Sequence, residues 1–156
     1  MKEIAKQLLE VKAVKLYPDV KNPFTFKSGI KSPVYCDNRS LYGYPDDREA
    51  ISEALTDKVN EMWDSFDDHA DVVIVGVATG AIGWGYGVAD YFGAPFAYVR
   101  SEAKDHGTKQ KIDGYKLGPD DKVIIIEDLI STGGSSLAAV EAVRETGAQV
   151  IGMVAI

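Results

Sequence analysis

Residues 122–136 read KVIIIEDLISTGGSS. Four consecutive apolar residues, Val123 to Ile126, run straight into two carboxylates, Glu127 and Asp128. After Leu129 and Ile130 the chain becomes small, polar and glycine-rich. A continuous Val/Ile run predicts a strand buried on both faces, as in a parallel sheet covered by helices. The next segment, GGSSLAAVEAVRETG (133–147), predicts a helix with Gly147 at its C-terminal end. Ligands of such sheets sit beyond the carboxyl ends of the strands, so the residues just after each strand carry the functional information.

The rest of the chain supports an α/β class. Residues 3–14 predict an amphipathic helix, with Ile4, Leu8, Val11 and Leu16 at roughly helical spacing. Within the Pro-, Gly- and aromatic-rich stretch 18–45, FTFKSGIKSPVYCD (24–37) reads as two short strands around a turn at Ser28–Gly29. Asp46 and Asp47 are placed to cap a helix reaching about Phe66, with Ile51, Leu55, Val59, Met62 and Phe66 on one stripe. DVVIVG (71–76) is a second buried strand, TGAIGWGYGVADYFG (79–93) a glycine-rich turn into a helix, and PFAYVR (95–100) a third strand. Residues 101–117, SEAKDHGTKQKIDGYKL, show no helical or alternating pattern and read as a long polar loop. AQVIGMVAI (148–156) is the next strand, and an end inside a strand predicts a domain truncated at the C-terminus, its closing elements lying past Ile156.

Bulk properties narrow the function. At 156 residues one domain is the default, and a hydrophobic fraction of 46% with 26% charged residues suits a soluble globular protein. A net charge of -7 argues against a broad nucleic-acid surface and against an anionic membrane as partner. The lone cysteine, Cys36, cannot form an internal disulfide and reads as a small buried hydrophobe in a reducing compartment. No apolar run approaches the ~18 residues of a membrane span. A soluble cytoplasmic protein is the expectation.

Three strand ends carry the chemistry. After the strand at 123–126, Ser131, Thr132 and Ser135 offer hydroxyls. Gly133 and Gly134 open a helix whose N-terminus presents unpaired N–H donors and a partial positive charge, a ready phosphate site. Carboxylates accept hydrogen bonds, so Glu127 and Asp128 suit vicinal sugar hydroxyls or a divalent cation rather than the phosphate. The competing reading makes Asp128 or Ser131 a helix cap. One acid fits that; two acids after a buried run fit it poorly. No G-x-x-x-x-G-K-[ST] occurs, and GVATGAIGWGYG never reads G-x-G-x-x-G, so the P-loop and the dinucleotide fingerprint are absent. Ala78, Thr79 and Gly80 still allow close backbone approach to an anion, while Gly83, Gly85 and Gly87 read as helix-on-sheet packing. The third strand end collects Arg100, Lys104, His106, Lys109 and Lys111, a cationic loop suited to closing on a polyanion. A sugar diol, a monophosphate and a second polyanion together describe 5-phosphoribosyl 1-diphosphate.

VIIIEDLISTGGSS resembles the phosphoribosyl-diphosphate motif of the type I phosphoribosyltransferases. FTFKSGIKSPVYCDNR and YVRSEAKDHG resemble the N-terminal region and catalytic loop of the orotate phosphoribosyltransferases among them. The resemblance runs from about Leu9 to Ile156. It implies a single phosphoribosyltransferase domain over 1–156, with an N-terminal helix and hood at 1–45 and an α/β core at 46–156. It implies transfer of the phosphoribosyl group to orotate, giving orotidine 5′-monophosphate and diphosphate, with Mg²⁺ carried mainly by the substrate. The 5-phosphoribosyl 1-diphosphate set it implies is Thr79, Gly80, Arg100, Lys104, His106, Glu127, Asp128, Leu129, Ile130 and Ser131 to Ser135. Lys27, Tyr35 and Ser131 would meet orotate. Arg100, Lys104, His106 and Asp128 would be catalytic. His106 would hydrogen-bond or protonate the leaving diphosphate, and Asp128 would stabilise the cationic sugar or take a proton from orotate N1. A homodimer is implied, with loop 100–116 acting across the interface. Ser101 stands where the family usually has a basic residue, which leaves Lys109 or Lys111 to substitute. A purine-type relative and a non-catalytic 5-phosphoribosyl 1-diphosphate sensor are the alternatives. SGIKSPVYCDNR speaks against the first and the retained Lys104–His106 pair against the second. Lys104→Ala is expected to lower kcat by about 100-fold with folding intact, read by steady-state kinetics and thermal melting. An unchanged kcat would remove the cationic loop from the mechanism.

Overall fold

The computed structural model describes residues 2–17, 23–26, 29–63, 72–100 and 111–156. In chain order the elements are α1 (Lys2–Glu10), β1 (Val14–Leu16), β2 (Phe24–Thr25), β3 (Lys31–Ser32), β4 (Val34–Cys36) and a short 3-10 helix (Asn38–Gly43). They continue with α2 (Pro45–Trp63), β5 (Val72–Val77), α3 (Ile82–Phe92), β6 (Phe96–Val99), β7 (Ile112–Gly114), β8 (Lys122–Glu127), α4 (Gly134–Arg144) and β9 (Gln149–Ala155). The chain divides into two compact units, Met1–Ile51 and Ser52–Ile156.

In the first unit, β1 pairs antiparallel with β4 and β2 with β3. The hairpin expected around Ser28–Gly29 is β2–β3, with Gly29 at φ 83, a conformation that suits a residue without Cβ. Helix α1 stops at Glu10, earlier than the helical spacing predicts. Lys12 lies at φ 56 and its N–H donates to Leu9 O at 3.1 Å, which ends the helix and sends Leu16 into β1. β-branched Val14 pairs opposite Cys36, and this strand pairing outweighs the helical pattern.

The second unit carries a five-stranded sheet in the order β7-β6-β5-β8-β9. β6, β5, β8 and β9 are parallel, and β7 joins antiparallel at the edge. β5 is buried throughout and β8 from Val123 to Glu127, as expected of strands covered on both faces. One face of the sheet, carrying Val73, Val75, Val77, Val99, Val123 and Ile125, packs on Ala139, Ala142 and Val143 of α4. These positions recur at three- and four-residue spacing, which makes α4 amphipathic. The other face meets α3. There a Cβ at Gly85 would lie 2.9 Å from the Phe96 ring and 3.2 Å from Gly76 Cα.

Two expectations change here. Residues 101–117 are not loop throughout, because Ile112–Gly114 forms β7, with Ala97 opposite Gly114 and Val99 opposite Ile112. The described part of the loop placed at 100–116 is therefore sheet edge, and residues 101–110 lie outside the described residues. Three residues reading Ile-Asp-Gly show no alternation, so this strand exists through its partner and not its own propensity. Helix α2 ends at Trp63, and Phe66 lies outside the described residues. Among the described residues no helix is long and apolar enough to cross a membrane.

The tight packing expected at Gly85 is present, whereas a Cβ at Gly87 would meet nothing closer than Ser52 Oγ at 4.0 Å. Gly85→Ala is expected to destabilise by about 1–3 kcal/mol through overpacking. Gly87→Ala is expected to stabilise by up to about 1 kcal/mol through helix propensity. Denaturant titration of both variants checks the pair, and equal effects would remove the close α3–sheet contact.

Candidate active site

The order of the sheet sets the site. From β5 the chain crosses through α3 to β6 on one side, and from β8 through α4 to β9 on the other. The direction of winding reverses between β5 and β8, and the crevice beyond their carboxyl ends is where an open α/β sheet binds ligands. Gly76 is level with Ile126, so the residues following each strand emerge side by side.

Successive side chains of a strand point to opposite faces. Glu127 follows Val123 and Ile125 toward α4, where the Ser136 hydroxyl donates to its Oε2 at 3.2 Å. The Asp128 N–H donates to Glu127 Oε1 at 3.0 Å. Asp128, one residue on, lies against Gly80 in the turn before α3, and a Cβ at Gly80 would overlap its carboxylate. The two acids thus rest on different neighbours, Glu127 against α4 and Asp128 against the turn before α3, with their carboxyls still close enough to hydrogen-bond. The peptide bond between Ala78 and Thr79 is cis, and the Ala78 N–H donates to Val99 O at 2.8 Å, which ties this turn to β6.

Beyond Asp128 the chain is exposed at Leu129, Ile130, Ser131 and Thr132, and again at Gly134 and Ser135. Gly133 at φ 80 is the N-cap of α4 and makes no side-chain capping hydrogen bond. The capping role considered for Asp128 or Ser131 is therefore not what starts this helix, whose first turn faces the crevice with its backbone donors.

At the end of β6, Arg100 Nε lies 2.8 Å from Asp113 Oδ2 on β7, both side chains about three-quarters buried. This pair and the backbone bond from Arg100 N–H to Lys111 O (2.8 Å) hold the arginine against the sheet edge. A cavity of about 140 Å³ lies beside it, lined by Val77, Ala78, Val99, Arg100, Lys111, Ser135, Ala138 and Ala139. Two cations, a hydroxyl and Ala78 thus line one hollow. Lys104, His106 and Lys109 lie outside the described residues, as does Lys27. Tyr35 sits on β4 in the first unit, opposite Lys15 and in an aromatic cluster with Phe24 and Phe26. Two contributors escaped the sequence reading, Ser136 and Asp113. The signal for Ser136 was a hydroxyl at a position of α4 that faces the sheet, in step with Ala139 and Val143. Asp113 gave no signal, because its role depends on a strand pairing.

Burial is the first reason that the Glu127 carboxyl is raised from 4.5 to about 7, with Asp128 adding to the rise; the donors on Glu127, the Asp128 amide and the Ser136 hydroxyl, oppose it. A carboxyl with a higher pKa folded than unfolded binds its proton more tightly in the native state. The stability it contributes is present below about 4.5 and lost as pH rises through about 7. Glu127→Gln removes that dependence. The Tm of this variant, taken relative to the unsubstituted protein, is expected to be higher at about pH 8 than at about pH 5. A difference that stays flat across the window would contradict a buried, protonatable Glu127.

Comparison with known proteins agrees with this geometry. Residues 46–156 match the family model for the phosphoribosyl transferase domain. The chain is 52% identical over 155 residues to an orotate phosphoribosyltransferase of Porphyromonas gingivalis, covering 99% of this chain and 70% of that one. Among solved structures it is similar to an orotate phosphoribosyltransferase from Aeropyrum pernix (TM-score 0.75, 28% identity, covering 98% of this chain and 80% of that one). It is also similar to the Leishmania donovani UMP synthase (TM-score 0.76, 32% identity, covering 99% of this chain and 30% of that one). With two acids meeting across a sheet reversal beside an uncapped helix start, and with these relatives, the chain belongs to the orotate phosphoribosyltransferase family of type I phosphoribosyltransferases.

Proposed function

We infer that this protein transfers the 5-phosphoribosyl group of phosphoribosyl diphosphate to orotate, giving orotidine 5′-monophosphate and diphosphate, a step of pyrimidine nucleotide synthesis in the cytoplasm. The observation that carries the reading is the pair of adjacent carboxyls at the end of β8, Glu127 held from α4 and Asp128 lying against Gly80, close enough to hydrogen-bond each other. A ribose presents adjacent hydroxyls that two acceptors so placed can share. Its 5′-phosphate takes the loop Ser131 to Ser135 and the start of α4, where N–H donors and the helix dipole favour an anion. Leu129 and Ile130, both exposed, form the turn that carries the loop outward. The diphosphate takes Thr79, Gly80 and Arg100, with Lys104 and His106 of the following segment. The Asp128 carboxylate fills the space a Cβ at Gly80 would need, so the turn before α3 lies directly against the acid pair.

As the bond at C1 of the ribose breaks, positive charge develops on the sugar and negative charge on the diphosphate. Asp128 is assigned to the first and the cations to the second, of which Arg100 is held in advance by Asp113. Lys27, Tyr35 and Ser131 are the orotate contacts of the reading. The Mg²⁺ fits as a passenger of the substrate. Mg²⁺ characteristically keeps phosphate and water oxygens as most of its ligands, and the carboxyls of Glu127 and Asp128 are the protein oxygens nearest to where the substrate would carry it. When bound it supplies charge neutralisation of the diphosphate. A homodimer in which residues 101–110 serve the neighbouring subunit's site completes the proposal.

The test is the fall in orotate absorbance on adding phosphoribosyl diphosphate and Mg²⁺. It is run on this chain and on one extended past Ile156 to the length of its relatives. Turnover dependent on both substrates is the expected result. Phosphoribosyl diphosphate binding without turnover in either chain would favour a sensor, and turnover with a purine base alone would favour a purine-type enzyme.

A further inference from the structure

We propose that Ser136 is a positioning residue for sugar binding: its hydroxyl and the Asp128 amide together fix the Glu127 carboxyl in the orientation that receives the ribose hydroxyls. This rests on the reading that Glu127 meets the ribose.

Glu127 is 3% exposed and Ser136 6%, so their hydrogen bond is shielded from water. Each carboxyl oxygen receives one donor, Oε1 from the Asp128 N–H at 3.0 Å and Oε2 from the Ser136 Oγ at 3.2 Å. Two donors on two oxygens set the plane of the group, leaving the remaining lone pairs for a ligand. The Asp128 side chain hydrogen-bonds the protonated carboxyl and repels the ionised one, and the neighbours on β9 and α4 are apolar. β9 presents Ala155 opposite Glu127, α4 otherwise turns Ala139 and Val143 to this face, and the charged neighbour is Asp128. A buried carboxyl with one donor removed is left with an unsatisfied oxygen and a stronger bias to its neutral form. A serine at this place on α4 is otherwise hard to account for, since its neighbours on the same stripe are alanine and valine.

The experiment compares Ser136→Ala, Ser136→Thr and Ser136→Cys with the unsubstituted protein. Calorimetry measures phosphoribosyl diphosphate binding, NMR follows the Glu127 side-chain carbon against pH, and thermal melting checks folding. Neither binding nor titration uses orotate, so failure of the orotate reaction leaves this test standing. Loss of the donor is expected to weaken phosphoribosyl diphosphate binding by about tenfold in Ser136→Ala. The Glu127 midpoint is expected to move above its value of about 7. Ser136→Thr, which keeps the hydroxyl, is expected within about twofold of the unsubstituted protein. Ser136→Cys, with a weaker donor, is expected between the two and replaces the alanine variant should that one fail to fold. Unaltered binding and midpoint in a folded Ser136→Ala would overturn the proposal. So would equal losses in the alanine and threonine variants that track a common fall in Tm, because Ser136 would then act only in packing.

Discussion

A carboxyl group at the end of a strand buried on both faces is expensive to desolvate, and the arrangement around Glu127 answers that constraint. The group stays in the interior because its proton affinity rises and because two donors reach it, one from its own chain neighbour and one from α4. The second donor fixes the first turn of α4 relative to β8. The loop from Leu129 to Gly133 must leave the sheet and return within a few residues, and Gly133 in the left-handed region makes the return possible. The uncapped helix start facing the crevice follows from bringing Ser136 down onto Glu127.

The sheet supplies the second half of the site. Because β5 and β8 are adjacent while their crossovers diverge, the turn at 78–81 and the loop at 128–133 come from distant parts of the sequence yet share one crevice. The packing between them is close enough that Gly80 has no space for a side chain beside Asp128. The same economy of volume recurs behind the site, where Gly85 lets α3 approach Gly76 and Phe96. Backbone therefore lines one side of the crevice and carboxylates the other, which suits a ligand that is anionic at its ends and hydroxylated in its middle.

Charge is distributed unevenly in keeping with such a ligand. The chain carries a net charge of -7, yet Arg100 and Lys111 converge on the hollow beside Ser135. Asp113 holds Arg100 from the edge strand, so the guanidinium is oriented by the sheet before any anion arrives. Pre-oriented cations lose less side-chain freedom on binding than mobile ones.

The sequence by itself determined the buried strands, the helices between them, the class of the sheet and the family of the motif. Runs of Val and Ile, helical spacing and an acid pair before a glycine-rich helix start are local patterns that burial and backbone geometry enforce over a few residues. Only the tertiary structure decided that α1 stops at Glu10, that Ile112–Gly114 joins the sheet, that Asp113 pairs with Arg100 and that Ser136 meets Glu127. Each of those depends on residues brought together from elsewhere in the fold. A strand such as Ile-Asp-Gly has too little propensity to announce itself, and a serine on a helix face takes its meaning from the carboxyl it happens to touch. Long-range pairing supplies both, and it leaves no periodic trace in the chain.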